Sequence, residues 1–439
     1  MRLKNKRILV YGLGSSGKSV ILQLLKLKSK IFLLDASLDK LTKLLNEYHL
    51  YIFDSLDNID MIIVSPGIRK DDKILVEAMA RSIPIISELE FGYLLNKKSY
   101  FIAVTGTNGK TTTVNMLYSM VKEYKEECYL LGNIGTPLSS ISNVKSNIIV
   151  EVSSFQLEYI DRFRPKVAVI LNLAPDHLDR YNSEQEYYQY KKRIIENSQN
   201  DYLVVNFDDI NLKDFQPKNC TIYYFSLNTF VSKGAYLYNN NIYFSDGGSS
   251  ELILGIQELN VIGIHNIANA MASIVVAKLL KVPTNIIKNT LCAFRGLEHR
   301  FELVCMRDGI VVINDSKATN VASTLSAYDS IVNGSYLILG GSDKGESFDK
   351  LFANDKQKYH YCIYGATAFK ILESAQKYNK QSECILFDTL FDATEYALKS
   401  ANKGNMVVLS PACASFDSFL NYEDRGQQFK EFVRAYYEK

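Results

Sequence analysis

The chain has 439 residues, 47% of them hydrophobic and 22% charged, with a formal net charge of +2. That length suggests about three domains at roughly 150 residues each. Lysines and acids are interspersed, without the basic arm or stripe that a nucleic-acid partner requires. No apolar run is long enough to span a bilayer, and the apolar run at the N-terminus breaks at Gly12 and Gly14, too early for a signal peptide. The seven cysteines are scattered and never spaced as Cys-x-x-Cys, which excludes a disulfide framework or a thiolate metal site and leads us to expect a cytoplasmic protein.

In chain order, residues 7–11 read as a buried strand, followed by Gly12-Leu13-Gly14-Ser15-Ser16-Gly17 and a helical pattern to about residue 27. A second strand, 31–34, ends at Asp35, and a third, 61–64, runs into Ser65-Pro66-Gly67. Strands alternating with helices argue for a parallel sheet with a ligand crevice at the strand ends. The glycines match the dinucleotide fingerprint, with an acid about 20 residues on. They also match Gly-x-x-x-x-Gly-Lys-Ser ending at Lys18-Ser19, and tight strand–helix packing without a ligand is the lesser alternative. A diphosphate loop is the reading adopted, with the ATP site placed elsewhere.

A new unit begins near Lys97-Lys98. The stretch from Phe101 to Thr113, FIAVTGTNGKTTT, is a strand feeding a phosphate loop that opens a helix. Inward-pointing amides, a helix N-terminus, Lys110 and the Thr111 hydroxyl are the parts that hold a nucleotide's outer phosphates and their Mg²⁺. Strands are predicted at 128–131, 148–152 and 167–171. Glu151 lies near the end of one of them in an otherwise apolar run, where a metal-holding carboxylate is expected. The strand exit Asn172–Tyr181 carries His177, one of five histidines. An amphipathic helix over 184–198 contains Lys191-Lys192-Arg193.

Residues 201–254 are β-like, with Asn239-Asn240-Asn241 as a hairpin tip. Gly263 opens an apolar helix in which Asn266 and Asn269 are either helix caps or readers of an adenine edge. A third unit starts around Leu297–Glu302. Its Arg307-Asp308-Gly309-Ile310 signals a hairpin. Strands ending near residues 313, 339 and 409 lead into polar loops, Asn314–Asn320, Gly340–Gly345 and Ser410–Phe416, the usual ligand rim of an α/β sheet.

Together these motifs resemble the bacterial Mur ligases over essentially the full length. The residues that carry the resemblance are Thr105-Gly106-Thr107-Asn108-Gly109-Lys110-Thr111, Gly132-Asn133-Ile134-Gly135, Glu151–Leu157, Asp176-His177-Leu178-Asp179-Arg180, His265-Asn266 with Asn269, His299-Arg300-Phe301-Glu302 and Asn314–Asn320. Ser410–Asp417 leans towards the members that add D-glutamate. The resemblance implies an α/β protein of three domains: a Rossmann-like domain over 1–97 for a UDP-substrate, a central P-loop ATPase with a parallel sheet over 98–297, and a C-terminal Rossmann-like domain over 298–439 for the amino acid. It implies ATP and Mg²⁺, the substrates UDP-MurNAc-L-Ala and D-glutamate, an acyl-phosphate intermediate, and a monomer in the cytoplasm without nucleic-acid or membrane partners.

By the same resemblance, Gly106, Thr107, Asn108, Gly109, Lys110, Thr111 and Thr112 cradle ATP's phosphates. Asn266, Asn269, Arg300 and Asp315 complete the ATP site. Thr111, Glu151, His177 and a carbamylated Lys191, preferred to Lys192, hold metal. Gly14, Ser15, Ser16, Asp35, Ser65, Asn133 and His177 face the UDP-sugar, although Ala36-Ser37 stand where relatives can offer a basic side chain. Thr319, Lys344, Ser415 and Tyr422 hold D-glutamate. The catalytic set is Lys110, Glu151, His177, Lys191 and Lys344. The alternatives are a sister amide ligase, either another Mur ligase or a folylpolyglutamate synthase, and an NAD(P)-dependent dehydrogenase built on the first glycine loop. A dehydrogenase would leave the second loop unexplained.

Overall fold

The computed structural model describes residues 3–133, 135–177, 180–261, 263–343, 345–353 and 358–438. Strands and helices alternate through most of the chain, as the sequence pattern predicts, and form three sheets. The chain divides into two compact units, one of Met1–Gln257 with Ala268–Leu291 and one of Glu258–Ile267 with Cys292–Lys439.

The first unit contains two sheets. One has five parallel strands in the spatial order Tyr51–Ile52, Lys30–Leu34, Arg7–Tyr11, Met61–Val64 and Ile85–Ser87. This is a doubly wound order in which the chain reverses direction across the first strand, so its ligand crevice lies beside the loop that follows Tyr11. The other sheet has nine strands. Cys128–Gly132, Asn147–Glu151, Tyr100–Thr105, Val167–Ile170, Asp201–Asn206, Cys220–Ser226 and Lys233–Tyr238 run parallel in that order. Asn241–Asp246 and Ser250–Gly255 complete it as an antiparallel meander. Parallel strands covered on both faces read as unbroken apolar runs. Ile102, Ala103 and Val104, and beside them Ile148, Ile149 and Val150, are all fully buried. Each large aliphatic side chain so buried contributes about 1.5–3 kcal/mol.

The meander turns at Asn239-Asn240, whose φ of 46° and 60° are the left-handed pair of a tight hairpin that asparagine tolerates. The helix Glu88–Leu95 follows the five-stranded sheet directly. Its first turn buries two carboxylates: Glu90 accepts the amides of Asp161, Arg162 and Phe163, and Glu88 accepts that of Ser139. Burial pushes both carboxyl pKa values up.

The second unit carries one sheet in the order Glu302–Arg307, Ile310–Asn314, Met406–Leu409, Tyr336–Gly340, His360–Tyr364 and Cys384–Phe387, parallel except for the first strand. Asp308 and Gly309, both at positive φ, form the predicted hairpin turn. Tyr51–Ile52, Ile85–Ser87, His360–Tyr364 and Cys384–Phe387 are additions to the predicted strands. The helix predicted over 184–198 ends at Lys192 and tightens into a 3₁₀ turn, Arg193–Ile195. There the Arg193 guanidinium donates to the carbonyls of Leu157, Glu158 and Ile160, contacts that no helical period in the sequence encodes.

Candidate active site

The strand Tyr100–Thr105 delivers the chain into the Gly-Lys-Thr loop, and the helix Lys110–Tyr124 leaves it. Gly109 caps that helix at φ 82°, and a Cβ there would stand 2.3 Å from Asn269 Oδ1. Backbone conformation and a neighbour thus both demand glycine. Asn172 braces the loop from the next strand exit: its carbonyl accepts the Thr107 amide, its Oδ1 accepts the Asn108 amide and its Nδ2 donates to the Asn108 carbonyl. Lys110 Nζ folds back onto the carbonyls of Gly106 (2.8 Å) and Thr107 (2.7 Å).

Glu151 ends the adjacent strand and is 2% exposed. Its Oε2 accepts the Thr111 hydroxyl at 2.9 Å and its Oε1 accepts the Asn133 amide at 3.1 Å. The predicted carboxylate and hydroxyl therefore sit together at the mouth of the loop. Asn133, expected to face a sugar nucleotide, is held on the carboxylate. Ile134, Leu178, Asp179 and Lys344 lie outside the described residues, so the structure does not speak to the role expected of Lys344.

The helix Glu184–Lys192 is capped by Ser183 and buries Tyr187, Tyr188 and Lys191. Lys191 is 2% exposed, with Nζ 4.6 Å from the centre of the Tyr187 ring and donating to the Gly106 carbonyl at 2.8 Å. Two lysine nitrogens thus converge on one carbonyl oxygen. Burial, with the neighbouring Lys110 charge second, holds the Lys191 pKa well below the ordinary lysine value. Lys192 points away over the Phe215 ring at 4.8 Å. His177 adopts φ 53°, packs its ring against Phe155 at 4.8 Å, and places Nε2 3.5 Å from Asp176.

In the five-stranded sheet, Gly12 (φ 92°) lies against Ser65, whose hydroxyl donates to the Gly12 carbonyl at 2.8 Å. Gly14 and Ser15 are exposed and Ser16 half-buried at the strand ends. Asp35 accepts the amides of Leu13 (2.6 Å) and Ser37 (2.8 Å). Burial opposes its ionisation, but those two amides and Lys40 win and hold its carboxyl below the usual range. The competing Lys18-Ser19 reading of this loop finds no support in the geometry. Lys18 is exposed, and the Ser19 hydroxyl is buried accepting that of Ser139.

Sequence reasoning places Arg180 in the motif that carries the family resemblance but gives it no role. Its guanidinium makes a two-pronged pair with Glu158 (3.0 and 2.7 Å), donates to the carbonyls of Pro66 and Ile68, and lies 4.2 Å from the Phe155 ring centre. It fastens the Ser65 loop to the loop that bears His177. The signal was an arginine closing the Asp-His-x-x-Arg run.

In the second unit, Asp315 is enclosed, with Oδ1 accepting the Phe301 amide and Oδ2 the Ser410 hydroxyl. Burial pushes its carboxyl up to about 7. Arg300 is half-buried beside Phe301. Thr319 and Ser415 stand on two strand-exit loops of this unit and Tyr422 opens the helix after the second, Ser415 buried and the other two half-buried, with Lys317 Nζ 3.7 Å from the Tyr422 ring centre. Asn266, in this unit, and Asn269, in the first, are both buried on the helix Ile264–Leu279.

A glycine-capped phosphate loop with a lysine, a hydroxyl and a buried carboxylate at its mouth, set on doubly wound sheets, defines a P-loop enzyme that uses ATP. Three family profiles match: "Mur ligase MurD-like, N-terminal domain" over residues 6–87, "Mur ligase middle domain" over 104–277, and "Mur ligase, glutamate ligase domain" over 299–413. The UDP-N-acetylmuramoylalanine--D-glutamate ligase of Thermoanaerobacter pseudethanolicus is 39% identical, and that of Clostridioides difficile 36%, each alignment covering 99% of both chains. Among solved structures, the UDP-N-acetylmuramate-alanine ligase of Thermotoga maritima superposes with a TM-score of 0.58 at 20% identity, covering 98% of this chain and 99% of that one. A pseudomurein peptide ligase of Methanothermus fervidus gives 0.57 at 19%, covering 98% and 100%. The chain belongs to the Mur ligase family, whose members form amide bonds at the expense of ATP.

Proposed function

We propose that this enzyme joins D-glutamate to UDP-N-acetylmuramoyl-L-alanine in building peptidoglycan precursors. The observation that carries the reading is full-length identity to ligases named for that reaction. A carboxylate is a poor acyl donor. An oxygen of the L-alanyl carboxylate attacks the γ-phosphorus of ATP and ADP departs; the D-glutamate amine then attacks the acyl carbon, phosphate leaves with the bonding pair, and the amine proton is lost. Phosphoryl transfer depends chiefly on positioning and charge neutralisation. In this proposal the amides of Gly106–Gly109, Lys110, Thr111 and Thr112 grip the phosphates, with Asn266, Asn269, Arg300 and Asp315 assigned to the rest of the nucleotide.

Mg²⁺ fits the donors present. Glu151 and Thr111 offer hard oxygens, and among the described residues no group of three or more His, Cys, Asp or Glu side chains forms an all-protein cage. That suits an ion that keeps its phosphate and water ligands. Bound there, it would neutralise developing phosphate charge. Lys191 supports the carbamate reading: burial favours its neutral amine form, which can add CO₂ and release a proton, turning a would-be cation into an oxygen ligand alongside His177. Gly14, Ser15, Ser16, Asp35, Ser65 and Asn133 remain assigned to the UDP-substrate, and Thr319, Lys344, Ser415 and Tyr422 to D-glutamate. Domain limits at 97/98 and 297/298 and a monomeric, cytoplasmic enzyme belong to the same proposal. Among the described residues no helix is long and apolar enough to cross a membrane.

The test is phosphate release across a panel of UDP-muramoyl precursors and amino acids. Release that requires both UDP-N-acetylmuramoyl-L-alanine and D-glutamate is expected. Release with another amino acid only, or with neither substrate, overturns the proposal.

A further inference from the structure

Arg425, in the first turn of the helix Tyr422–Glu438, is completely buried. A buried guanidinium ordinarily sits against a carboxylate, because an unpaired charge is costly to remove from water. Here the buried Asp315 carboxylate acts on it through charge alone, and the hydrogen bonds described next go to neutral oxygens at three strand exits. Nε donates to Ser316 Oγ (3.0 Å) and Nη2 to the carbonyls of Ser316 (2.8 Å) and Cys413 (3.1 Å). Nη1 donates to the carbonyls of Ala414 (3.2 Å) and Gly340 (3.5 Å). The Ser316 hydroxyl in turn donates to the Tyr422 carbonyl at 2.8 Å, which closes the cluster onto the start of the arginine's own helix. The loops are packed hard around it: a Cβ on Gly341 would stand 2.1 Å from the Ala414 carbonyl oxygen and 3.1 Å from Arg425 Nη1.

These are the loops on which the proposed D-glutamate ligands stand. Ser415 follows Ala414, Thr319 lies just beyond Ser316, and Tyr422 opens the helix. In a trans peptide the C=O and N–H point in opposite directions, so holding the Ala414 carbonyl on the guanidinium directs the Ser415 amide away from it. The planar five-donor fork fixes all three loops at once, which a point charge such as lysine cannot do. The cation also lends the rim a positive field suited to a dicarboxylate.

We propose that Arg425 is a positioning residue for the amino-acid site. It sets the mutual geometry of the three loops and biases them electrostatically towards an acidic amino acid. This rests on the reading of D-glutamate as substrate, and the experiment separates the two. In wild-type enzyme, phosphate release must depend on D-glutamate; if it does not, that reading fails. Given that dependence, Arg425→Lys is expected to raise KM for D-glutamate at least tenfold while KM for ATP and for the UDP-substrate stays within about twofold. A purely structural role would lower the thermal midpoint and shift all three KM values or kcat together, and that result overturns the proposal, as does an unchanged KM for D-glutamate. Should Arg425→Lys fail to fold, Ser316→Ala, which removes the Nε acceptor and the bond to the Tyr422 carbonyl but leaves the fork, decides when compared with Tyr422→Phe, which keeps that carbonyl. A rise of about threefold confined to D-glutamate supports the positioning role, and no rise overturns it.

Discussion

Lys191 and Lys192 are neighbours in sequence with opposite environments. The buried stripe of their helix falls at Tyr187, Tyr188, Lys191 and then Ile194, so the fourfold spacing places Lys191 inward and Lys192 outward. Lys191→Ala should lower kcat by about 10²–10³, the usual cost of removing one group that acts on transferring charge. The KM for ATP should change little, and Lys192→Ala should stay near wild type in the same phosphate-release assay. Equal losses for both variants would contradict the assignment.

Asp315 carries a pH signature. Its carboxyl is pushed up to about 7 in the folded chain, against about 3.8 for the exposed group. The folded state therefore binds more protons than the unfolded state between those values. Its contribution to stability is fully present below about pH 4 and is lost as pH rises through 7. Urea unfolding of Asp315→Asn against wild type should show the two converging near pH 4.5, with the variant relatively more stable at pH 7.5. A gap that does not change with pH would exclude this.

At the scale of elements, the phosphate loop is a strand–loop–helix unit whose conformation rests on Gly109. Gly109→Ala must hold a Cβ at positive φ, costing about 1–2 kcal/mol, and must also displace Asn269. The expected result is a lower thermal midpoint together with a raised KM for ATP. Loss of stability with unchanged ATP affinity would mean that the loop tolerates the shift.

Much of this element was legible in the sequence, because apolar runs, glycines and Gly-Lys-Thr are local signals. The same holds for the Asp308-Gly309 and Asn239-Asn240 turns and for the strand ending at Glu151. What was illegible depended on non-local burial. Arg425, in the charged first turn of an amphipathic helix, reads as a solvated side chain until three loops close over it. Glu88 and Glu90 look like ordinary first-turn acids complementing a helix dipole, and only the fold brings the amides of residues 139 and 161–163 to them. The length of the Glu184–Lys192 helix was over-read because the apolar pattern continues through its 3₁₀ extension.

At the scale of the whole molecule, no disulfide forms among the described residues. Burial pushes the thiols of Cys128, Cys362 and Cys384 up to about 12 and that of Cys413 to about 11, leaving almost no thiolate at neutral pH. The thermal midpoint should be the same with and without reductant, and these four thiols should resist alkylation of the native protein as followed by mass. A reductant-dependent midpoint would reveal a bond that the fold does not contain.

The contact between Gly109 and Asn269 joins a loop near one quarter of the chain to a helix well past its middle. Position 109 has no room to grow while asparagine stands at 269. A lineage that acquires a methyl group at 109 must shorten residue 269 or abandon the loop's shape, so the two sites are bound to drift together. Paired statistics over many relatives would register that linkage without any knowledge of the nucleotide.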